Sequence, residues 1–217
     1  MILNNKRETM KTKHLIIATV ASIVLISSSA TAQISVGTRQ GITFSTLSEI
    51  GDIYGNDHIS TSYTGGVFAV IPVKGAFSFA PEANYIRKGR GTEPGASKLD
   101  DASTHYNYLQ VPMMARYKSA LSNSDKYLIY FNAGPYAALL LKSQTKAAGS
   151  SEWIDDNYDS SEKDPDFGIV VGAGIMVPVS KVKLQFDLRY DMGLSKLNNQ
   201  PQDYKTKAVS LAAGIMF

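Results

Sequence analysis

Apolar and polar side chains alternate one for one through most of residues 33–217, in eight separate runs. The last run is the clearest: Val209, Leu211, Ala213, Ile215 and Phe217 fall on one side, Ser210, Ala212, Gly214 and Met216 on the other. Phe167, Ile169, Val171, Ala173, Ile175 and Val177 repeat the pattern, as do Leu184, Phe186, Leu188 and Tyr190 against Gln185, Asp187, Arg189 and Asp191. A period of two belongs to an extended strand with two different faces, and no long stretch with helical spacing interrupts it. The pattern predicts strands over 34–47, 61–73, 76–88, 105–119, 127–142, 166–178, 181–196 and 205–217. The second run is ambiguous, because Phe68 and Val70 lie on its otherwise interior face.

The connections alternate too. Those after the second, fourth and sixth runs are short (Lys74-Gly75, 121–126 and Ser180), whereas 48–60, 89–104 and 143–165 are long and carry Gly, Asp, Asn and Ser. Short turns at one end and long loops at the other are the pattern of a transmembrane β-barrel. The runs also exceed the roughly 9–11 residues with which a tilted strand crosses a bilayer.

A soluble barrel turns its apolar face inward; a membrane barrel turns it to lipid. Here the polar face carries Glu82, Asn84 and Lys88 on one run, Gln110 and Arg116 on the next, and Asp187, Arg189 and Asp191 further on. Eight strands enclose an interior just wide enough for side chains to fill, and charges placed there must be paired or hydrogen-bonded. The sequence therefore predicts an inward, structural polar network of Glu82, Gln110, Arg116, Asp187 and Arg189, with the four charged members within ion-pair reach of one another. Aromatic residues gather near the ends of the apolar face, among them Tyr63, Phe77, Tyr85, Tyr117, Tyr127, Phe167, Phe186, Tyr190 and Phe217. Interfacial girdles have this composition. A half-buried antiparallel sheet in a secreted soluble protein is the alternative, but it leaves the loop asymmetry unexplained.

Residues 1–32 have a different character. Lys11 and Lys13 precede an apolar run from Leu15 to Ile26, and Ala30-Thr31-Ala32 supplies an A-x-A cleavage pattern. A membrane helix would need about 20 apolar residues. The segment reads as an export signal cleaved after Ala32, with the barrel domain over 33–217 and either Met1 or Met10 as the start. The same segment accounts for the formal net charge of +3. Lys6, Arg7, Lys11 and Lys13 against Glu8 supply it, and the remainder is balanced, so no basic stripe exists for nucleic acid. The chain has no cysteine and only three histidines, His14, His58 and His105. Disulfides, thiolate zinc sites and multi-histidine metal centres are thereby excluded.

Five segments in order carry a family resemblance: F-A-P-E-A-N-Y-I-R-K-G (79–89), Y-L-Q-V-P-M-M-A-R-Y-K (108–118), F-N-A-G-P-Y (131–136), G-I-V-V-G-A-G-I (168–175) and D-L-R-Y-D-M-G-L (187–194). With these the chain resembles the Bacteroidetes outer-membrane β-barrel family, of the porin-family or PorT-family type, whose barrel is like those of OmpA and OmpX. The resemblance implies an eight-stranded barrel in the outer membrane. It also implies insertion by the barrel-assembly machinery, with the C-terminal Phe217 as part of the address. A few members are linked to secretion or gliding machinery. The word porin in such a label is not evidence of a channel.

Three motifs invite chemistry. Gly172-Ala173-Gly174 superficially suggests a nucleotide loop, but it lies within a strand run and no helix follows. Small residues in a crowded interior explain it better. The segment 149–166 is acidic, with Glu152, Asp155, Asp156, Asp159, Glu162, Asp164 and Asp166 against Lys163. It lacks the D-x-D-x-D-G spacing of a calcium loop, so a solvated outer loop is the simpler reading. Trp153, Asp155 and Asp156 are its candidate interaction residues, although Trp153 could equally cap the barrel rim. Ser103 and His105 share one face of a strand near the outer end. Outer-membrane lipid A deacylases pair a Ser with a His in this way, but no orienting carboxylate can be nominated.

The sequence thus predicts an all-β, eight-stranded antiparallel up-and-down transmembrane barrel with a plugged interior. The expected role is non-enzymatic, structural or interactive, with no catalytic, cofactor or metal site. Its expected partners are outer-membrane lipids and lipopolysaccharide, the barrel-assembly machinery and envelope proteins. A lipid-modifying enzyme using His105 and a secreted soluble ligand-binding barrel are the rival readings.

Overall fold

The computed structural model describes residues 34–49, 59–91, 102–121, 127–147, 152–155, 165–195 and 204–217, and the predicted export signal lies outside them. The strands are β1 (Ser35–Glu49), β2 (Ser60–Lys74), β3 (Phe77–Arg90), β4 (Ala102–Ala120), β5 (Leu128–Ala147), β6 (Ile154–Asp155), β7 (Asp166–Val179), β8 (Val182–Gly193) and β9 (Tyr204–Met216). All pairings are antiparallel, and the eight long strands form a closed ring in sequence order. The ring closes where β1 meets β9, in register from Gly37 opposite Met216 to Glu49 opposite Tyr204. A closed antiparallel ring satisfies the ladder's amide groups without an edge, the condition for a sheet in hydrocarbon.

Two tight turns at the end shared by Ser35 and Phe217 use left-handed backbone. Gly75 (φ 58°) joins β2 to β3, where the missing Cβ makes that conformation cheap. Ser180 (φ 57°) takes the same role between β7 and β8. At the opposite end β5 outruns β7, and the short β6 continues the ladder, with Gln144 opposite Asp155 and Thr145 opposite Ile154.

The alternation assigns the faces. Ile42, Phe131, Ile175, Phe186, Leu188 and Leu211 are exposed on the outside, and Glu82, Gln110, Arg116, Gln185, Asp187 and Arg189 are buried within. Such a surface is wrong for water and right for lipid. The ambiguous second run keeps the common register: Phe68 and Val70 point inward and are buried, packed with Tyr130, Met176 and Met216. That register puts small residues opposite large inward rings. Tyr130 lies directly against Gly174, its partner across the β5–β7 ladder, and Phe68 against Gly37 across β1–β2. A Cβ at either glycine would meet the ring, so Gly172-Ala173-Gly174 serves packing.

Candidate functional site

The lumen is a stack of polar tiers. In the middle tier β1 supplies Arg39, β3 supplies Glu82 and Asn84, and β8 supplies Asp187 and Arg189. Arg39 donates to both oxygens of Glu82 (Nη1 to Oε1 3.1 Å, Nη2 to Oε2 2.5 Å). From the other wall Arg189 does the same (Nη1 to Oε2 2.8 Å, Nη2 to Oε1 3.0 Å) and also reaches Asp187 at 3.3 Å. Asn84 donates a fifth bond to Glu82 at 3.0 Å. Bidentate guanidinium–carboxylate pairing is the strongest hydrogen-bonded contact available here, and it ties three strands through one side chain.

The tier toward the long loops centres on Lys88. Its ammonium donates to the Tyr136 hydroxyl at 3.1 Å and to Asp166 Oδ2 at 3.3 Å, and sits 4.5 Å from the Tyr136 ring centre. Ser195 donates to the other oxygen of Asp166 at 2.5 Å. Between these tiers remains a cavity of only about 10 Å³, lined by Arg39, Asn84, Gln110, Arg189, Asp191 and Ser210. That is about the space of a single water molecule.

Toward the short turns Arg116 donates from Nε to Asn132 Oδ1 at 2.8 Å and stacks its guanidinium 4.3 Å from the Tyr130 ring centre. Beyond it lies the apolar plug of Phe68, Val70, Met176 and Met216. Four buried cations (Arg39, Lys88, Arg116, Arg189) face four buried carboxylates (Glu82, Asp166, Asp187, Asp191), so the described lumen is neutral overall.

The sequence-predicted residues Glu82, Gln110, Arg116, Asp187 and Arg189 all lie in this lumen. Glu82, Asp187 and Arg189 are brought together; Arg116 is not, which corrects the expectation of a four-membered ion-pair cluster. The ladder explains it: Arg116 is opposite Ser78, four residues along β3 from Glu82, or about 13 Å at strand rise. Gln110 lines the small cavity together with Asp191. Arg39 was missed, because Thr38 and Gln40 are polar as well and erase the alternation around it. Asp166, read from sequence as part of the acidic loop, is instead a buried lumen residue.

The outer rim holds a second cluster. Trp153 stacks on His105 (ring centres 4.1 Å apart, planes at 20°), and Lys146 lies 5.7 Å from the Trp153 ring centre. His105 Nε2 is 3.1 Å from the Ser60 hydroxyl. Ser103 instead sits opposite Lys146 in the β4–β5 ladder, so the Ser103–His105 pairing considered from sequence is not the one the fold brings together. Ser60, the actual neighbour, is buried at 4% exposure, a poor position for a nucleophile. Asp155 accepts from Lys142 at 2.9 Å and from Gln144 at 3.0 Å. The Lys142 contact, and then that with Gln144, holds the Asp155 carboxyl below its ordinary value. Asp156 and the acidic residues 159, 162 and 164 lie outside the described residues. Among the described residues no group of acidic and histidine side chains could hold a metal ion.

An apolar outer band around a filled, charge-balanced lumen defines an integral β-barrel membrane protein. Residues 27–199 match the family described as outer membrane protein beta-barrel domain, and the chain belongs to that family. Its place is therefore the outer membrane. Among solved structures it is similar to Neisserial surface protein A, with 17% identity, a TM-score of 0.52, and 86% of this chain and 98% of that one covered. OprG from Pseudomonas aeruginosa (10% identity, TM-score 0.47, 86% and 97% covered) and outer membrane protein W of E. coli (14%, 0.45, 87% and 100%) are further neighbours. At such identities the likeness shows the fold alone. No curated protein sequence matches the chain.

Proposed function

We propose that this protein is a non-enzymatic envelope component of the Bacteroidetes porin-family or PorT-family type, with a structural or interaction role. On this reading residues 1–32 export it and are removed after Ala32. The barrel-assembly machinery inserts it, with Phe217 as part of the signal, and it is not a general diffusion pore. Lipopolysaccharide and other envelope proteins are its partners, met through the outer rim at Trp153 and Asp155 and the loop around them. A place in a larger envelope or secretion complex fits this reading.

The observation that carries the proposal is the filled lumen. The double clamp on Glu82, the Lys88–Asp166 tier and the Phe68–Met216 plug cross the described lumen at three depths, and the cavity between the first two holds about 10 Å³. Open aqueous channels belong to barrels of about 16–18 strands. Planar-bilayer recordings of the purified, folded protein test this. Baseline current without porin-sized steps is the expected result. Reproducible large openings that vanish with the protein would refute it.

A further inference from the structure

We propose that two copies of this chain associate side by side in the membrane, through the lipid-facing surface at the β1–β9 seam, with Gln40 of one copy hydrogen-bonded to Gln40 of the other. Gln40 shares the outward face of β1 with Val36, Thr38 and Ile42, and it is exposed there. It lies between the girdles. Phe217 is four residues along β9 from its partner Ala213 on one side, and Tyr63 is two residues along β2 from its partner Gly65 on the other. An amide at that depth faces hydrocarbon with two donors and an acceptor unmet. It forms no hydrogen bond with any other described residue.

The surroundings suit close approach. The cross-strand neighbours of Gln40 are Gly65, over which the Tyr63 ring folds, and Ala213, so the saddle of small side chains where another barrel's wall can come near lies on the β9 side of the amide. The larger Val67 and Ile215 flank the saddle on one side, and Ile42 and Leu211 on the other. Two shallow grooves of about 600 and 350 Å³ run beside the row Gln40–Ala213–Phe186. They offer room for the partner's aliphatic side chains.

Orientation selects a second copy as the occupant. Both copies insert with the same end outward, so a two-fold axis relating them must run along the membrane normal. Such an axis preserves depth and brings each residue near it to its own counterpart. A carboxamide is self-complementary: each Gln40 donates one N–H to the other's Oε1 and accepts one in return. An acyl chain satisfies neither group, and a different protein would need a polar side chain at the same depth.

The chain has no cysteine, which makes the test clean. Gln40→Cys and, on the opposite wall, Ala133→Cys are reconstituted into phospholipid vesicles, checked for the folded mobility on unheated gels, and oxidised. Gln40→Cys is expected to give at least tenfold more disulfide-linked homodimer. In parallel, sedimentation of the wild-type protein and of Gln40→Leu in a mild detergent measures self-association directly. Leucine suits lipid better than glutamine, so Gln40→Leu folds, and its dimer dissociation constant is expected to rise at least tenfold. Equal cross-linking of the two cysteine variants, a monomeric wild type at every protein-to-detergent ratio, or an unchanged dissociation constant in Gln40→Leu would overturn the proposal.

Discussion

Arg189 on β8 reaches across the lumen and grips Glu82 on β3 with both terminal nitrogens, at 2.8 and 3.0 Å. The two strands are far apart in the ring, so the contact is a cross-brace between opposite walls. Arg39 grips the same carboxylate from β1. Removing Glu82 takes from Arg39 its carboxylate and leaves Arg189 with Asp187 alone. Glu82→Ala is expected to cost about 3–5 kcal/mol, the usual loss when one partner of a buried pair is deleted. Urea unfolding in lipid vesicles, followed by the loss of the folded gel band, measures it.

Arg116 supplies the contrast. Among the described residues it has no direct carboxylate contact, and neither of its terminal nitrogens has a hydrogen-bond partner. Arg116→Leu is therefore expected to destabilise clearly less than Arg189→Leu in the same assay, although both remove one lumen cation. Equal losses would mean that overall charge balance, and not contact, holds the lumen together.

The glycine notches set a packing test. Gly174→Val would drive a side chain into the Tyr130 ring, and overpacking of this kind costs about 1–3 kcal/mol. The same change at Ala173, which points to lipid, should be close to neutral. The difference between the two variants, again by urea unfolding, checks the face assignment of β7.

Lipid exposure gives a further expectation. Leu188 is 53% exposed between Phe186 and Tyr190 on the outer face of β8. Leu188→Arg should cost about 2–4 kcal/mol in a bilayer, the penalty for a cation near the midplane. Urea unfolding in lipid vesicles, with Leu188→Ala as the reference variant, measures it.

The rim responds to acid. The Asp155 carboxyl is held below its ordinary value by Lys142 and Gln144. A depressed acidic group stabilises the folded arrangement above its unfolded value and loses that contribution as pH falls through the lower, folded value. The clasp of β6 on β5 should therefore persist at neutral pH and weaken below the ordinary aspartate range. The effect is small, because the pair is exposed. Emission from Trp153, the single tryptophan, reports it. Asp155→Asn should show its weakened clasp already at neutral pH and lack that step.

The parts of this fold legible in the sequence are those that strict alternation encodes. β7 and β8 present an unbroken apolar face, as does β9 from Val209 onward, and one residue of slip would reverse every side chain on them. Glu82, Asp187 and Arg189 could be assigned inward for that reason. Which of them touch was not legible, because contact across a lumen depends on strand stagger, a property of the closed ring. Arg39 shows the other limit: Gln40 beside it is polar on the lipid side, so the local pattern carries no face. His105 found Ser60 and not Ser103 for a similar reason, since Ser60 comes from β2, two strands away.

The seam between β1 and β9 has a consequence for how the chain must be made. The ladder that closes the cylinder joins Gly37 to Met216, so its two halves leave the ribosome at opposite ends of synthesis. No shorter prefix of the chain can hide both of its outer strands, and every partial product offers two sticky margins to its neighbours. Maturation is therefore all-or-nothing and follows translation. Until β1 and β9 are paired, the unmet amide and carbonyl groups along both strands remain open to pairing with other chains.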